Sequence, residues 1–225
     1  MKIKCEINFS IKKMKYIAVI GLGYVGLPLA LNFGKSKNCV VYGFDNDILK
    51  LKSILKGKSY LSHINDTEIR NFSSKNYVSK DFSKIKKMDF IILCLPTPLK
   101  NNNKPDLSYV KGSLNKIFPY LKKGQALSLE SSTYPGTTEE VIIKKLKEKF
   151  IIGKNFYVIY SPEREDPGNK IKMNAIPKIV AGYSKSCTKI GKSYYSKVFD
   201  KVLITESLKI AEFSKILENV FRSIN

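Results

Sequence analysis

From residue 15 onward the chain alternates short unbroken apolar runs with longer stretches whose apolar positions recur at helical spacing. Residues 16–20, Tyr-Ile-Ala-Val-Ile, have the pattern of a strand buried on both faces. Leu27, Leu29, Ala30 and Phe33 then predict a helix, 38–44 a second strand, and 47–55 a second helix. Strand, helix and strand in that order make a βαβ unit. The alternation continues with a strand at 90–95, a loop from Pro96 to Pro105, and a helix from about Asp106 to Phe118. Further strands are predicted at 126–129, 156–160, 176–181 and 202–204, with a helix at 137–150 between the first two. The expected fold is α/β: a Rossmann-like doubly wound parallel sheet, followed by the start of a central helix.

That last helix, 206–225, places Ile210, Phe213, Leu217, Val220 and Ile224 on one face. No glycine or proline ends it, and the sequence offers that face nothing to pack against except the preceding domain or another chain. It reads as a truncated helix. Residues 1–14, up to a second methionine at Met14, show no periodicity and read as a disordered leader or a misplaced start. The expected organisation is therefore leader 1–14, domain 15–205, and helix 206–225.

Composition narrows the partners. The net charge of +21 over 225 residues raises nucleic acid as a candidate. The excess is nearly all lysine, scattered along the chain, with only Arg70, Arg164 and Arg222 able to form bidentate forks. A lysine-rich solvated surface is the expectation, with no nucleic-acid partner. No run approaches the roughly 20 apolar residues of a membrane span, and residues 1–9 lack a signal-peptide core. A cytoplasmic protein without a membrane partner is expected. Cys5, Cys39, Cys94 and Cys187 lie far apart, and His63 is the sole histidine, so neither disulfides nor a metal site is predicted. Cys94 reads as core strand, Cys39 as the edge of the second strand, and Cys5 and Cys187 as peripheral.

The first chemical motif is Gly21-Leu22-Gly23-Tyr24-Val25-Gly26, between the first strand and the first helix. Nineteen residues after Gly26, Asp45 ends the second strand. This is the dinucleotide-binding arrangement. Gly21 allows the tight turn, Gly23 lets backbone approach a pyrophosphate, and Gly26 lets helix and strand pack closely, while the helix N-terminus attracts the anion. An aspartate at position 45 would accept from both adenosine ribose hydroxyls and repel a 2′-phosphate. The expected cofactor is NAD rather than NADP.

Three further segments each follow a predicted strand: Leu95-Pro96-Thr97-Pro98, the stretch from Glu130 through Ser131, Ser132, Thr133 and Tyr134 to Gly136, and Ser161-Pro162-Glu163-Arg164 continuing to Gly168. All would lie at the carboxyl edge of the sheet, where doubly wound folds bind ligands. With these in place the chain resembles the UDP-glucose/GDP-mannose dehydrogenases, which oxidise the C6 alcohol of a nucleotide sugar to a carboxylate with two NAD. The resemblance runs from Tyr16 to Asn225 through residues 21–30, Gly43-Phe44-Asp45, 96–99, Pro105-Asp106-Leu107, 134–140, Ala211-Glu212, Lys215 and Asn219. Residues 161–169 most resemble the branch that makes UDP-N-acetylglucosaminuronate.

The resemblance implies that Tyr24, Val25, Asp45, Lys50, Thr97 and Thr133 contact the cofactor. It implies that Glu163 is the general base for water attacking a thioester, with Thr133 positioning that water. Lys215 and Asn219, one helical turn apart, would stabilise an oxyanion. Two departures stand out. Glucose-specific members carry a second glutamate where this chain has Pro167. The family's nucleophilic cysteine, its nearby aspartate and the UDP-binding domain have no counterpart here, so the chain is expected to be an N-terminal half that is inactive alone. Partners implied are a nucleotide sugar, and either a C-terminal half in trans or a second copy through helix 206–225. Alternatives left open are a UDP-glucose or UDP-N-acetylmannosamine 6-dehydrogenase fragment and a non-catalytic NAD-binding module.

Overall fold

The computed structural model describes residues 14–100, 104–163 and 173–224. The expected leader, Met14 excepted, lies outside the described residues, as do positions 164–169 of the third segment and Asn225. Eight strands are present among the described residues: β1 (Lys15–Ile20), β2 (Cys39–Phe44), β3 (Tyr77–Ser79), β4 (Phe90–Leu93), β5 (Ala126–Leu129), β6 (Tyr157–Tyr160), β7 (Lys178–Gly182) and β8 (Val202–Ile204). They form one sheet in the order β3-β2-β1-β4-β5-β6-β7-β8. Alternate residues of each central strand point to opposite faces, and both faces are covered, which is why β1 and β4 read as continuous apolar runs.

On one face Ile17, Val19 and Ile92 pack against Leu27, Leu29 and Phe33 of α1 (Gly26–Lys35), Leu51 and Ile54 of α2 (Ile48–Leu55), Ile69 and Phe72 of α3 (Asp66–Ser73), and Tyr194 and Tyr195 of α6 (Lys185–Tyr195). On the other, Ala18, Ile20, Ile91 and Leu93 meet Val110, Leu114 and Ile117 of α4 (Ser108–Ile117) and Ile142, Ile143 and Leu146 of a fifth helix. That helix, α5, is π-helical over Thr138–Ile143 and closes with an α turn at Lys144–Leu146. Leu208 and Ala211 dock α7 (Leu208–Ile224) onto the second face, while Ile210, Phe213, Leu217, Val220 and Ile224 stand exposed. Among the described residues no helix is long and apolar enough to cross a membrane.

The sequence did not predict α3, β3 or α6, and three further details differ from its expectation. The sheet is parallel except at one junction: β6 and β7 pair antiparallel, so β7 and β8 run against the other strands. The fourth strand stops at Leu93 rather than at residue 95, because both backbone groups of Leu95 are taken by the Ser131 hydroxyl, 3.1 Å from its N–H and 2.7 Å from its carbonyl. Cys187 is not peripheral. It is fully buried on the inner face of α6, where its sulfur accepts from Val158 N–H at 3.4 Å.

Candidate functional site

Strand order reverses between β1 and β4, since the chain moves outward through β2 and β3 and then returns to the opposite side of β1. The two strand ends therefore diverge, leaving a crevice at their carboxyl edge. A cleft of about 750 Å³ lies there, lined on one side by Gly21, Gly23, Tyr24, Val25, Asp45 and Lys50 and on the other by Thr97, Glu130, Glu163, Lys215 and Asn219.

The glycine turn divides its labour visibly. Gly21 has φ of +90°, and a Cβ on it would overlap the Cys94 carbonyl. A Cβ on Gly26 would overlap the Gly21 carbonyl oxygen, so this glycine lies behind the cleft wall and sets the approach of α1 to β1. A Cβ on Gly23, by contrast, meets nothing within 4 Å. Its missing side chain answers no need of the fold, which leaves the space for a ligand. No side chain caps the first turn of α1 and no acidic residue stands in it, so the helix terminus presents N–H groups and positive potential to an anion.

Asp45 is held by two amides: Leu22 N–H donates to Oδ2 at 2.8 Å and Asp47 N–H to Oδ1 at 2.9 Å. Lys50 Nζ stands 3.8 Å from Oδ2. The carboxylate is thereby held in one orientation at the cleft. Asp47 caps α2, accepting from the Leu49 and Lys50 amides. Tyr60, which the sequence did not single out, donates its hydroxyl to the Leu22 carbonyl at 2.5 Å; burial, reinforced by Asp45 and Asp47, pushes its phenol well above the usual range. Tyr24 stays partly exposed with its ring 4.5 Å from that of His63.

On the far wall Thr97 donates to the Ser132 carbonyl at 2.7 Å, tying the loop after β4 to the loop after β5. Thr133 is buried just behind this wall rather than lining it. Its Oγ1 makes no hydrogen bond of full geometry, although it lies close enough to the Tyr160 hydroxyl to interact with it, while that hydroxyl donates to the Ser131 carbonyl. Glu163 sits at the cleft wall, 7% exposed, beside two residues that the sequence reading passed over: Glu130 as a site residue, and Lys178. Burial, then the charge of Glu130, raises the Cys94 thiol far above its ordinary value, so this cleft-lining cysteine is a poor nucleophile.

Helix α7 brings Lys215 and Asn219 to the cleft, and Glu212 fixes where it can do so. The fully buried Glu212 carboxylate accepts from Gly136 N–H at 2.5 Å, Thr138 N–H at 2.8 Å and Thr138 Oγ1–H at 2.6 Å, capping α5 from another helix. Burial raises its pKa, and these three donors work against that rise. Replacing it by glutamine turns an amide NH₂ toward a backbone donor, and Glu212→Gln is expected to lose about 2 kcal/mol in urea unfolding. A loss below about 0.5 kcal/mol in that experiment would show that the bonds are not needed.

Of the residues expected at the site, Gly21, Gly23, Tyr24, Val25, Asp45, Lys50, Thr97, Glu163, Lys215 and Asn219 line this single cleft, whereas Gly26 and Thr133 support it from behind.

Residues 15–201 match the NAD binding domain of the UDP-glucose/GDP-mannose dehydrogenase family. Protein CapL of Staphylococcus aureus is 36% identical over 214 residues, covering 93% of this chain and 49% of that protein. The UDP-N-acetyl-D-glucosamine 6-dehydrogenase of Salmonella typhi is 34% identical over 221 residues, 96% of this chain and 51% of that enzyme. The solved NDP-N-acetyl-D-galactosaminuronic acid dehydrogenase of Methanosarcina mazei Go1 superposes with a TM-score of 0.84 at 31% identity, over 93% of this chain and 48% of that one. The chain spans about half the length of the curated relatives it matches. A cleft at the switch point lined by the glycine turn and Asp45, and a family match over most of the sequence, lead to one statement: this chain belongs to the UDP-glucose/GDP-mannose dehydrogenase family, of which it carries the NAD-binding domain.

Proposed function

We propose that the chain is the cofactor half of a cytoplasmic nucleotide-sugar 6-dehydrogenase that converts UDP-N-acetylglucosamine to UDP-N-acetylglucosaminuronate. The observation that carries this reading is the meeting, in one cleft, of the cofactor set around Asp45 with Glu163, Lys215 and Asn219. In this reading domain 15–205 binds NAD, and the helix that follows contributes Lys215 and Asn219 to the reacting side. NAD, when bound, supplies the hydride acceptor.

Gly21, Gly23, Tyr24, Val25 and the first turn of α1 would hold its pyrophosphate, with Gly26 setting the helix in place. Asp45 would accept from the ribose hydroxyls, Lys50 would balance its charge, and Thr97 would hold the far loop against the cofactor. Glu163 would take the proton of an attacking water, and Thr133, buried behind the wall, would support the wall against which that water is placed. Lys215 and Asn219 would share a developing oxyanion. The sugar is read from the likeness of residues 161–169 to the N-acetylglucosamine branch; the S. typhi relative carries that name, while a relative from Methanococcus aeolicus, also 34% identical, is named a UDP-N-acetyl-D-mannosamine dehydrogenase. Cys39, Cys94 and Cys187 are all buried, which supports the expectation that this polypeptide cannot form a thioester by itself.

Calorimetric titration with NAD tests the cofactor role. Asp45→Ala is expected to weaken NAD about tenfold, by loss of about 1.4 kcal/mol of ribose hydrogen bonding, and to narrow the preference over NADP. Unchanged affinity would overturn the assignment of Asp45. The substrate role is tested by mixing the chain with a separately expressed C-terminal half of a relative and following NADH. Production from UDP-N-acetylglucosamine, and not from UDP-glucose or UDP-N-acetylmannosamine, is the expected result. NADH formed from another of these sugars corrects the substrate, and NAD binding with silence in every mixture leaves a non-catalytic NAD-binding module.

A further inference from the structure

Glu163 is gripped from behind by a buried ion cluster. Lys178, on β7 and 2% exposed, donates from Nζ to Glu163 Oε2 at 2.8 Å, to Glu130 Oε2 at 2.5 Å and to the Pro162 carbonyl at 3.2 Å. An ammonium has three protons, and all three find oxygen. The rings of Tyr195 and Phe199 flank it, with centroids 5.5 Å and 5.3 Å from Nζ. The Tyr195 hydroxyl lies against Glu130 Oε1 and 2.8 Å from Ser128 Oγ, so Glu130 is itself anchored.

We propose that Lys178 is a positioning residue that, backed by Glu130 and Tyr195, holds the Glu163 side chain in place and ionised at the cleft wall. The proposal rests on the reading of Glu163 as the base. A carboxylate this buried needs a partner with good geometry to remain charged, and a base that takes a proton from water must be ionised beforehand. Lys178 meets both needs from outside the reaction space, because its protons are spent on fixed acceptors. Its own charge is secure: burial pulls its pKa down, but Glu130 and Glu163 outweigh that and raise it.

Among the described residues, the titratable groups that bear on the cluster include Glu130 after β5, Glu163 after β6, Lys178 on β7, Tyr195 on α6, Tyr160 on β6 and Cys94 after β4. Burial and Glu130 keep both Tyr195 and Cys94 protonated. Burial likewise pushes Glu130 up to about 7. Below that pH Lys178 therefore faces one carboxylate, Glu163, undivided.

The test is a carboxyl ¹³C NMR titration of the full chain, with the Glu163 signal assigned by its loss in Glu163→Gln. Lys178→Met is expected to raise the Glu163 midpoint by about one pH unit or more, and Lys178→Arg to restore most of the shift. A midpoint that is the same in Lys178→Met as in the wild type overturns the proposal. Should Lys178→Met fail to fold by circular dichroism, Lys178→Gln, which keeps a donor and loses the charge, is expected to raise the Glu163 midpoint in the same direction, and a midpoint unchanged from the wild type overturns the proposal. NADH formation by Glu163→Gln mixed with the C-terminal half separates the two readings. Full NADH formation together with the Glu163 shift refutes the base reading alone; lost NADH formation without the shift refutes the positioning role alone.

Discussion

Gly26→Ala should destabilise the protein by about 3 kcal/mol or more, while Gly23→Ala, three residues away, should leave stability within about 0.5 kcal/mol of the wild type. The added methyl at 26 would occupy the position of the Gly21 carbonyl oxygen and press to 3.0 Å from Cys94 Cβ. None of these is the free end of a flexible side chain. Helix α1 must instead lift from β1, loosening the contacts of Leu27, Leu29 and Phe33, all fully buried. For a chain of this size the melting temperature should fall by about 6–12 °C. At 23 the methyl enters open space and changes no protein contact. That same space is where backbone must approach a pyrophosphate, so Gly23→Ala should weaken NAD by about tenfold or more with the fold intact. Thermal melts and NAD calorimetry on both variants check the pair. Equal melting temperatures, or full NAD affinity in Gly23→Ala, would refute this division of labour within the turn.

The cofactor side of the site was legible because its parts lie close together in sequence and each needs a distinctive residue type. Gly21, Gly23 and Gly26 sit between a strand and a helix, and Asp45 ends the next strand. The fold class followed from apolar runs that need burial on both faces. What remained hidden has physical reasons. Helix α6 buries Cys187, Gly191, Tyr194 and Tyr195, an inner face that is small or hydroxylated rather than greasy. Gly191 is there for closeness, since a Cβ on it would press on Ile159 and Val180. Capping would have marked its start, as the Ser184 side chain accepts from the Cys187 amide, and likewise Asn65 from Glu68 at the head of α3. The reversed direction of β7 could not be read, because an apolar run looks the same in either direction.

The cluster behind Glu163 was hidden for a different reason. Glu130 and Lys178 are 48 positions apart and Glu130 and Tyr195 are 65 apart, so no local pattern joins them. Lys178 opens its strand as one more lysine in a lysine-rich chain. Only the pairing of β7 beside β6 brings it under the loop that carries Glu163. Glu212 shows the same principle: it belongs to α7 by sequence and to the 136–138 turn by bonding. The wall that carries Glu163 is thus assembled from long-range contacts, whereas the wall that carries the glycine turn and Asp45 is assembled from local ones.

Those long-range contacts should be visible as an unusual dependence of stability on pH, with stability falling by about 2–3 kcal/mol as pH rises from 5 to 7.5. Glu130 has an ordinary value of 4.5 when unfolded and is pushed up to about 7 by burial in the native state. Between those values the native protein binds more protons than the unfolded chain, so raising the pH through this window favours unfolding. Lys178 adds no slope there, since it is raised from 10.5 and stays charged in both states. Asp66, Asp81 and Asp106 are each lowered from 3.8, so the stability they contribute is present above that value and lost only as pH falls below it. Glu212, also raised by burial, adds a smaller fall of the same sign. In Glu130→Gln the larger fall should vanish, leaving a nearly flat profile between pH 5 and 7.5. The amide still offers an oxygen to the Lys178 ammonium and does not titrate, so the cluster keeps its shape and loses its proton. Urea unfolding at a series of pH values decides the matter. A wild-type stability that rises through this window, or a Glu130→Gln profile parallel to the wild type, would show that Glu130 is already ionised in the native protein and that Lys178 is shared between two carboxylates at every pH where the chain is folded.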